Sequence, residues 1–286
     1  MSDRNGQFRT QSRRAASAAR SGENGFVLLI VLWWLTLLLF LGTQIAAATR
    51  TAVSISANIR GSAVAQAQAE GAVNEAIFRI LIQHWKADGT KHVVRGPQAV
   101  AEVQIDDEGE RIDPNVAPVA LLQALAHQCG LAPKPAAELA DAIYDWRSLD
   151  LRQSAETAGA ARYRAAGRSY LPPKTRFVSV DELGLVLGMT PELLGCLAPH
   201  LTVYALSVPS LQSTRDPIVR RAILEAYPDD PPQADAVRAV SVVRVTAAAR
   251  DASGGRFRCV AVVLVVPAEP DDSFVYKILS VDESPE

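Results

Sequence analysis

GFVLLIVLWWLTLLLFLGTQIAAAT, residues 25–49, is the stretch on which the architecture turns. It lies inside a run of 26 residues, Asn24 to Thr49, with no formal charge between Glu23 and Arg50. Wound as a helix at about 1.5 Å per residue, some 20 residues suffice to cross a hydrocarbon core of about 30 Å. The chain ahead of the run is basic: Arg4, Arg9, Arg13, Arg14 and Arg20 stand against Asp3 and Glu23, a net +3 for residues 1–25. That bias holds the N-terminus in the cytoplasm and sends everything after Arg50 to the far side of the membrane.

The remaining composition is that of a globular protein with a single apolar anchor. With 29 Lys and Arg against 31 Asp and Glu, the 286-residue chain has a formal charge of −2, so no global basic field marks it as a nucleic-acid binder. An apolar fraction of 49% is too low for a multi-span membrane protein. Cys129, Cys196 and Cys259 fall in the exported part, where an odd number leaves at least one thiol unpaired within the chain. They read as three small buried hydrophobes, and no Cys/His spacing suggests zinc.

Three readings of the apolar run compete. A secretion signal would be cut after Ala46-Ala47-Ala48 and release a soluble periplasmic binding or hydrolytic protein. An uncleaved anchor would stay as it is. A third reading rests on the junction Gly25-Phe26 and on the residues beyond Arg50. There Ile55, Ile59, Val73, Ile77, Ile80, Leu81 and Trp85 recur at helical spacing, predicting one helix from Phe26 to Lys86, about 90 Å long. Gly61 and Gly71 each weaken it by up to about 1 kcal/mol relative to Ala. A secretion signal has no need to flow into such a helix.

Downstream, the alternation of Gln98 to Ile105 predicts a strand, and Asp106-Asp107-Glu108-Gly109-Glu110 a solvated acidic turn without EF-hand spacing. Residues 111–205 turn helical. One helix is expected over Val116–Cys129, with Asp113 or Asn115 as N-cap and Gly130 closing it. A second runs from Pro135 to Trp146, with Leu139, Ala142, Ile143 and Trp146 on one face. Residues 147–176 read as a long polar loop. Phe177 to Tyr204 holds two short helices, with Ser179 and Glu182 as a capping box and Thr190 as a cap. Finally, Ala239–Ala249, Arg256–Val266 and Ser273–Val281 read as a hairpin and a third strand.

Catalytic patterns do not emerge. His84, His92, His127 and His200 have no paired ligand or nucleophile signature, and GxSxG, HExxH and phosphate-loop motifs are missing. The segment FVSVDELGLVLGMTPELLGCLAPH resembles a helix-hairpin-helix. Its only charged groups are Asp181, Glu182 and Glu192, which would repel a phosphate backbone, so no nucleic-acid partner is expected.

A basic leader ending in Gly25, followed by Phe26 and an unbroken apolar helix, resembles the processing site of type IV prepilins and type II secretion pseudopilins. The resemblance implies cleavage by a prepilin peptidase after Gly25, N-methylation of Phe26 and retention of the membrane helix. At the fifth mature position, where the families carry Glu, Ile30 stands here. In those families the Glu meets the terminal ammonium of the subunit assembled before it. A buried carboxylate without that partner costs several kcal/mol, so its absence fits a filament tip better than a shaft. A type IV pilus tip minor pilin is a rival within the same class.

The order DEGERIDPNVAP, LADAIYDWRSLD and FVSVDELGLVLGMTPELLGCLAPHLTVY resembles general secretion pathway protein K, the large minor pseudopilin of type II secretion. This implies an α+β fold, a long N-terminal pilin helix packed on a small antiparallel sheet with a large inserted helical subdomain. The segments would be 1–25 leader, 26–48 transmembrane, 49–110 periplasmic helix and first strand, 111–205 helical subdomain, and 206–286 C-terminal sheet. Partners implied are other minor pseudopilins in a tip complex, the major pseudopilin, the prepilin peptidase and the inner membrane, with the bulk of the chain periplasmic. The resemblance also implies acidic calcium-binding loops after the Asp-Trp motif. Here Asp145, Asp150 and Glu156 are the candidate ligands, while Ser148 and Leu149 stand where further acids would be.

Overall fold

The computed structural model describes residues 23–83, 85–148, 158–233, 240–266 and 275–285, and the chain divides into two compact units at Arg60/Gly61. Helix α1, Glu23–Gln83, contributes to both. In the first unit its apolar side chains lie uncovered: Phe26, Leu28, Trp33, Leu39 and Phe40 are all exposed.

In the second unit, α1 lies on a five-stranded antiparallel sheet of order β1-β2-β3-β4-β5: Asp88–Arg95, Ala99–Asp107, Ser241–Asp251, Arg256–Val266 and Val275–Pro285. Strands and helix meet through small side chains. Ala65, Ala69, Ala72 and Ala76 recur at three- and four-residue spacing, so they form one stripe of the helix. They face the alternate residues Ala101, Val103, Ala247 and Ala261 of the sheet. Alanine on both surfaces lets the helix lie close, while Ile77, Leu81, Val245 and Phe257 fill the flanks. The two glycines predicted only to weaken α1 differ in use. Around Gly71 there is open space, whereas Gly61 receives the β3–β4 turn, with Gly255 against its backbone.

Between β2 and β3 the chain builds the helical layer. Helices α2 (Val119–Gln128), α3 (Pro133–Arg147), α4 (Ala158–Ala165), α5 (Pro191–Leu197) and α6 (Pro217–Ala226) are accompanied by short 3₁₀ turns. Their core centres on Leu121, Leu125, Leu139, Trp146, Leu183 and Ile223.

Several expectations are corrected. Asp88–Arg95, between the expected end of the long helix at Lys86 and the expected strand at Gln98, forms strand β1, an edge strand with only Val94 buried, so it carries no apolar alternation. Helix α2 starts at Val119 after Pro118, not at Val116. Asp113 accepts from the Asn115 amide instead, holding the turn ahead of the helix. Part of the supposed loop 147–176 is α4. Helix α6 packs Val219, Ala222 and Ile223 into the helical core, so that layer continues past residue 205. Glu108 of the supposed solvated turn is fully buried. Cys129 and Cys196, read as unpaired, form a disulfide that ties the end of α2 to α5 across 67 residues, and only Cys259 matches the buried-thiol reading.

Candidate functional site

The first candidate region is the head of α1. Phe26–Ile45 is long and apolar enough to cross a membrane, and none of it is buried within the protein. Gly25 and Phe26 fall inside α1, two and three residues from its first residue, Glu23. Ile30, one turn further on, is 42% exposed and Phe26 67%. An apolar surface this continuous is not stable against water, since covering each such side chain gains about 1.5–3 kcal/mol. Lipid or other apolar helices must cover it.

The second region is the helical layer around the Asp145-Trp146-Arg147 motif, which proves to be a structural hub. Trp146 stacks on Phe177 with ring centroids 5.9 Å apart and touches Tyr163 and Tyr170. Its Nε1–H donates to Glu182 at 2.9 Å, and the same carboxylate accepts from the Val178 amide. Glu182 thus serves both the predicted capping turn, where Ser179 Oγ accepts from its amide, and the tryptophan. Arg147 reaches across to donate to the carbonyls of Pro114 and Ala117, the latter at 2.7 Å. Burial holds its guanidinium below its ordinary pKa, and fully buried Asp113 beside it is pushed above its ordinary value for the same reason.

Of the three candidate calcium ligands, Asp145 is engaged by Arg162 at 2.5 Å, and Asp150 and Glu156 lie outside the described residues. Among the described residues no group of three or more His, Cys, Asp or Glu could hold a metal ion.

The third region joins layer to sheet, and sequence reading missed it. Glu108, at the end of β2, accepts from Arg111 at 2.9 Å and from Arg244 of β3. A carboxylate this deeply buried is tolerable only because two guanidiniums face it. Next to it, Ile112 pairs with Leu201 in an isolated parallel bridge, the Ile112 amide donating to the His200 carbonyl at 3.0 Å. His200 in turn meets Asp216 at 2.5 Å, and Asp216 caps α6 by accepting from the Ile218 and Val219 amides. Burial pushes the Asp216 carboxyl up, but the His200 and amide hydrogen bonds together outweigh it and hold the group below its ordinary value. The side-chain pairs His200–Asp216 and Arg244–Glu108 in this joint are 16 and 136 residues apart, distances at which composition carries no signal.

Comparison with known proteins gives two findings. The family model of type II secretion system protein K matches residues 99–206, from the first residue of β2 through helices α2 to α5 to just past the Ile112–Leu201 bridge, and leaves out α6. A chain of the GspK-GspI-GspJ complex from the enterotoxigenic Escherichia coli type 2 secretion system shares the fold, with a TM-score of 0.53. It is 14% identical, and the match covers 83% of this chain and 99% of that one. Curated proteins return no match.

The chain thus combines an apolar helix long enough to cross a membrane and a five-stranded antiparallel sheet with a segment, β2 onward, that matches the type II secretion system protein K model. Over residues 99–206 the chain is similar to protein K of that system.

Proposed function

We propose that this chain caps the tip of the type II secretion pseudopilus and starts its assembly. The observation that carries the reading is the pairing of an uncovered 20-residue apolar helix with a protein K domain inserted into the sheet. Prepilin peptidase cuts between Gly25 and Phe26, Phe26 is N-methylated, and the helix anchors the chain once across the inner membrane with its bulk in the periplasm. The Cys129–Cys196 disulfide supports an oxidising destination.

Assembly arises from the need to cover the apolar head. The heads of α1 leave lipid only by packing against the heads of other pseudopilins, the major one and the other minor ones; that the structural neighbour is a chain of a complex with GspI and GspJ supports the minor ones as partners. Ile30 supports the terminal position, because a subunit with nothing assembled before it has no terminal ammonium for a Glu to meet. The helical layer, far larger than a sheet loop, blocks the stacking of a further subunit above it.

Ile30→Glu tests this. It places an unpaired carboxylate in the apolar bundle and is expected to reduce export of the system's substrates and cross-linking to the other minor pseudopilins. Export unchanged from the wild type would refute the tip position. Calcium is a separate proposal resting on Asp145, Asp150 and Glu156, and titration calorimetry with no heat on calcium addition would remove it.

A further inference from the structure

Arginine is concentrated on one half of the sheet face that points away from α1. The register sets Arg95 of β1 opposite Val100 of β2, Val100 opposite Arg250 of β3, and Arg250 opposite Arg256 of β4. Directly paired residues share a face, so three guanidiniums stand in one row across four strands, and Arg258 is on the same face two residues on. The alternate residues Ala249 and Phe257 face α1, which fixes the arginines on the opposite side.

All four arginines are exposed, and among the described residues none is in an ion pair. The nearest acid on β2, Glu102, is taken by Lys91 at 2.7 Å. On β5, Asp282 lies diagonal to Arg258 without pairing with it. Arg250 directly opposite Arg256 is unfavourable for folding, since like charges in that position repel. Beside Arg250 and Arg256 runs a groove of about 340 Å³ lined also by Val93, Val100, Ala248 and Ala249 and, at one side, by the Lys91-paired Glu102.

We infer that this groove binds an extended acidic peptide segment of a partner protein. The row is about 14 Å long at the usual strand spacing, too long for one small anion to engage all of it. An apolar lining beside guanidiniums suits alternating carboxylate and aliphatic side chains. In that arrangement each carboxylate takes a bidentate guanidinium and relieves the Arg250–Arg256 repulsion. The inference stands on the sheet alone and does not depend on the tip position proposed above.

The test uses the full chain in nonionic detergent and fluorescence anisotropy with a labelled Glu-Val-Glu-Val-Glu-Val peptide. The expected result is saturable binding that weakens with salt, is lost with the Gln-for-Glu peptide, and falls at least tenfold in the Arg250→Ala, Arg256→Ala double variant. Thermal stability of that variant is expected to be equal or higher, because a repulsive pair has gone. Any of four results overturns the inference. These are no saturable binding, binding unchanged in the variant, inorganic phosphate competing as well as the peptide, and arginine-dependent retention on phosphatidylglycerol vesicles without peptide binding.

Discussion

Replacing Gly255 by Ala tests the seat of the sheet on α1. A Cβ there would lie 2.4 Å from the Gly61 carbonyl carbon, 2.6 Å from its oxygen and 2.8 Å from the Ser62 amide nitrogen. These are helix backbone atoms, so relief requires moving the β3–β4 turn off the helix, and overpacking of this kind costs about 1–3 kcal/mol. Gly71→Ala is the matched control: nothing lies within 4 Å of its added Cβ, and the helix gains up to about 1 kcal/mol. Gly61→Ala falls between, because its Cβ meets the Ser253 hydroxyl and the Asp251 carboxylate, side-chain ends that can move. At roughly 2–4 °C per kcal/mol for a unit of this size, Gly255→Ala should melt about 2–12 °C lower and Gly71→Ala up to about 4 °C higher. Thermal unfolding followed by circular dichroism in detergent reads both. Equal midpoints for Gly255→Ala and wild type would show that the turn does not rest on Gly61 and would refute the packing.

The helical layer supplies the other predictions. Reducing the Cys129–Cys196 bridge should cost about 4 kcal/mol, because it closes a long loop. Alkylation of the unreduced, denatured chain should then label one cysteine, Cys259, whose thiol burial pushes up to about 11 with help from Glu283, Glu70 and Asp282. Asp113→Asn should stabilise the fold at pH 7. A carboxyl raised by burial favours folding below its unfolded pKa near 3.8 and loses that contribution as pH rises, so the gain should vanish below about pH 3.8 in denaturant titrations. Asp216→Ala removes the cap of α6 and should cost about 1–2 kcal/mol at neutral pH. Because the folded carboxyl lies below 3.8, that cost should shrink as pH falls under this value.

Legibility followed the range of each interaction. The apolar helix, the β3–β4 hairpin, the face of α3 with Leu139, Ala142, Ile143 and Trp146, and the Thr190 cap all rest on neighbours close in the chain, and residue spacing reports them. Strand β1 escaped because its outer edge is solvated and Lys91, His92 and Arg95 obey no alternation. Glu108 looked like one acid among four, since Arg244, which makes its burial tolerable, is 136 residues away. Helix α6 did carry a signal: Asp216-Pro217 is a cap followed by proline at the first helical position, with Val219, Ala222 and Ile223 on one face. In the candidate site, the Asp-Trp-Arg motif coincides with a structural hub whose contacts spacing did not report. Asp145 is paired with Arg162, and Trp146 and Arg147 hold the layer together.

Fibre entry requires that the apolar helix stay on the mature chain. Mass spectrometry of the N-terminal peptide, taken from the membrane fraction of cells bearing the secretion system, reads this without an intermediate step. N-methylated Phe26 should be the first residue. A soluble periplasmic product beginning at Thr49 would contradict both the anchoring and the assembly built on it.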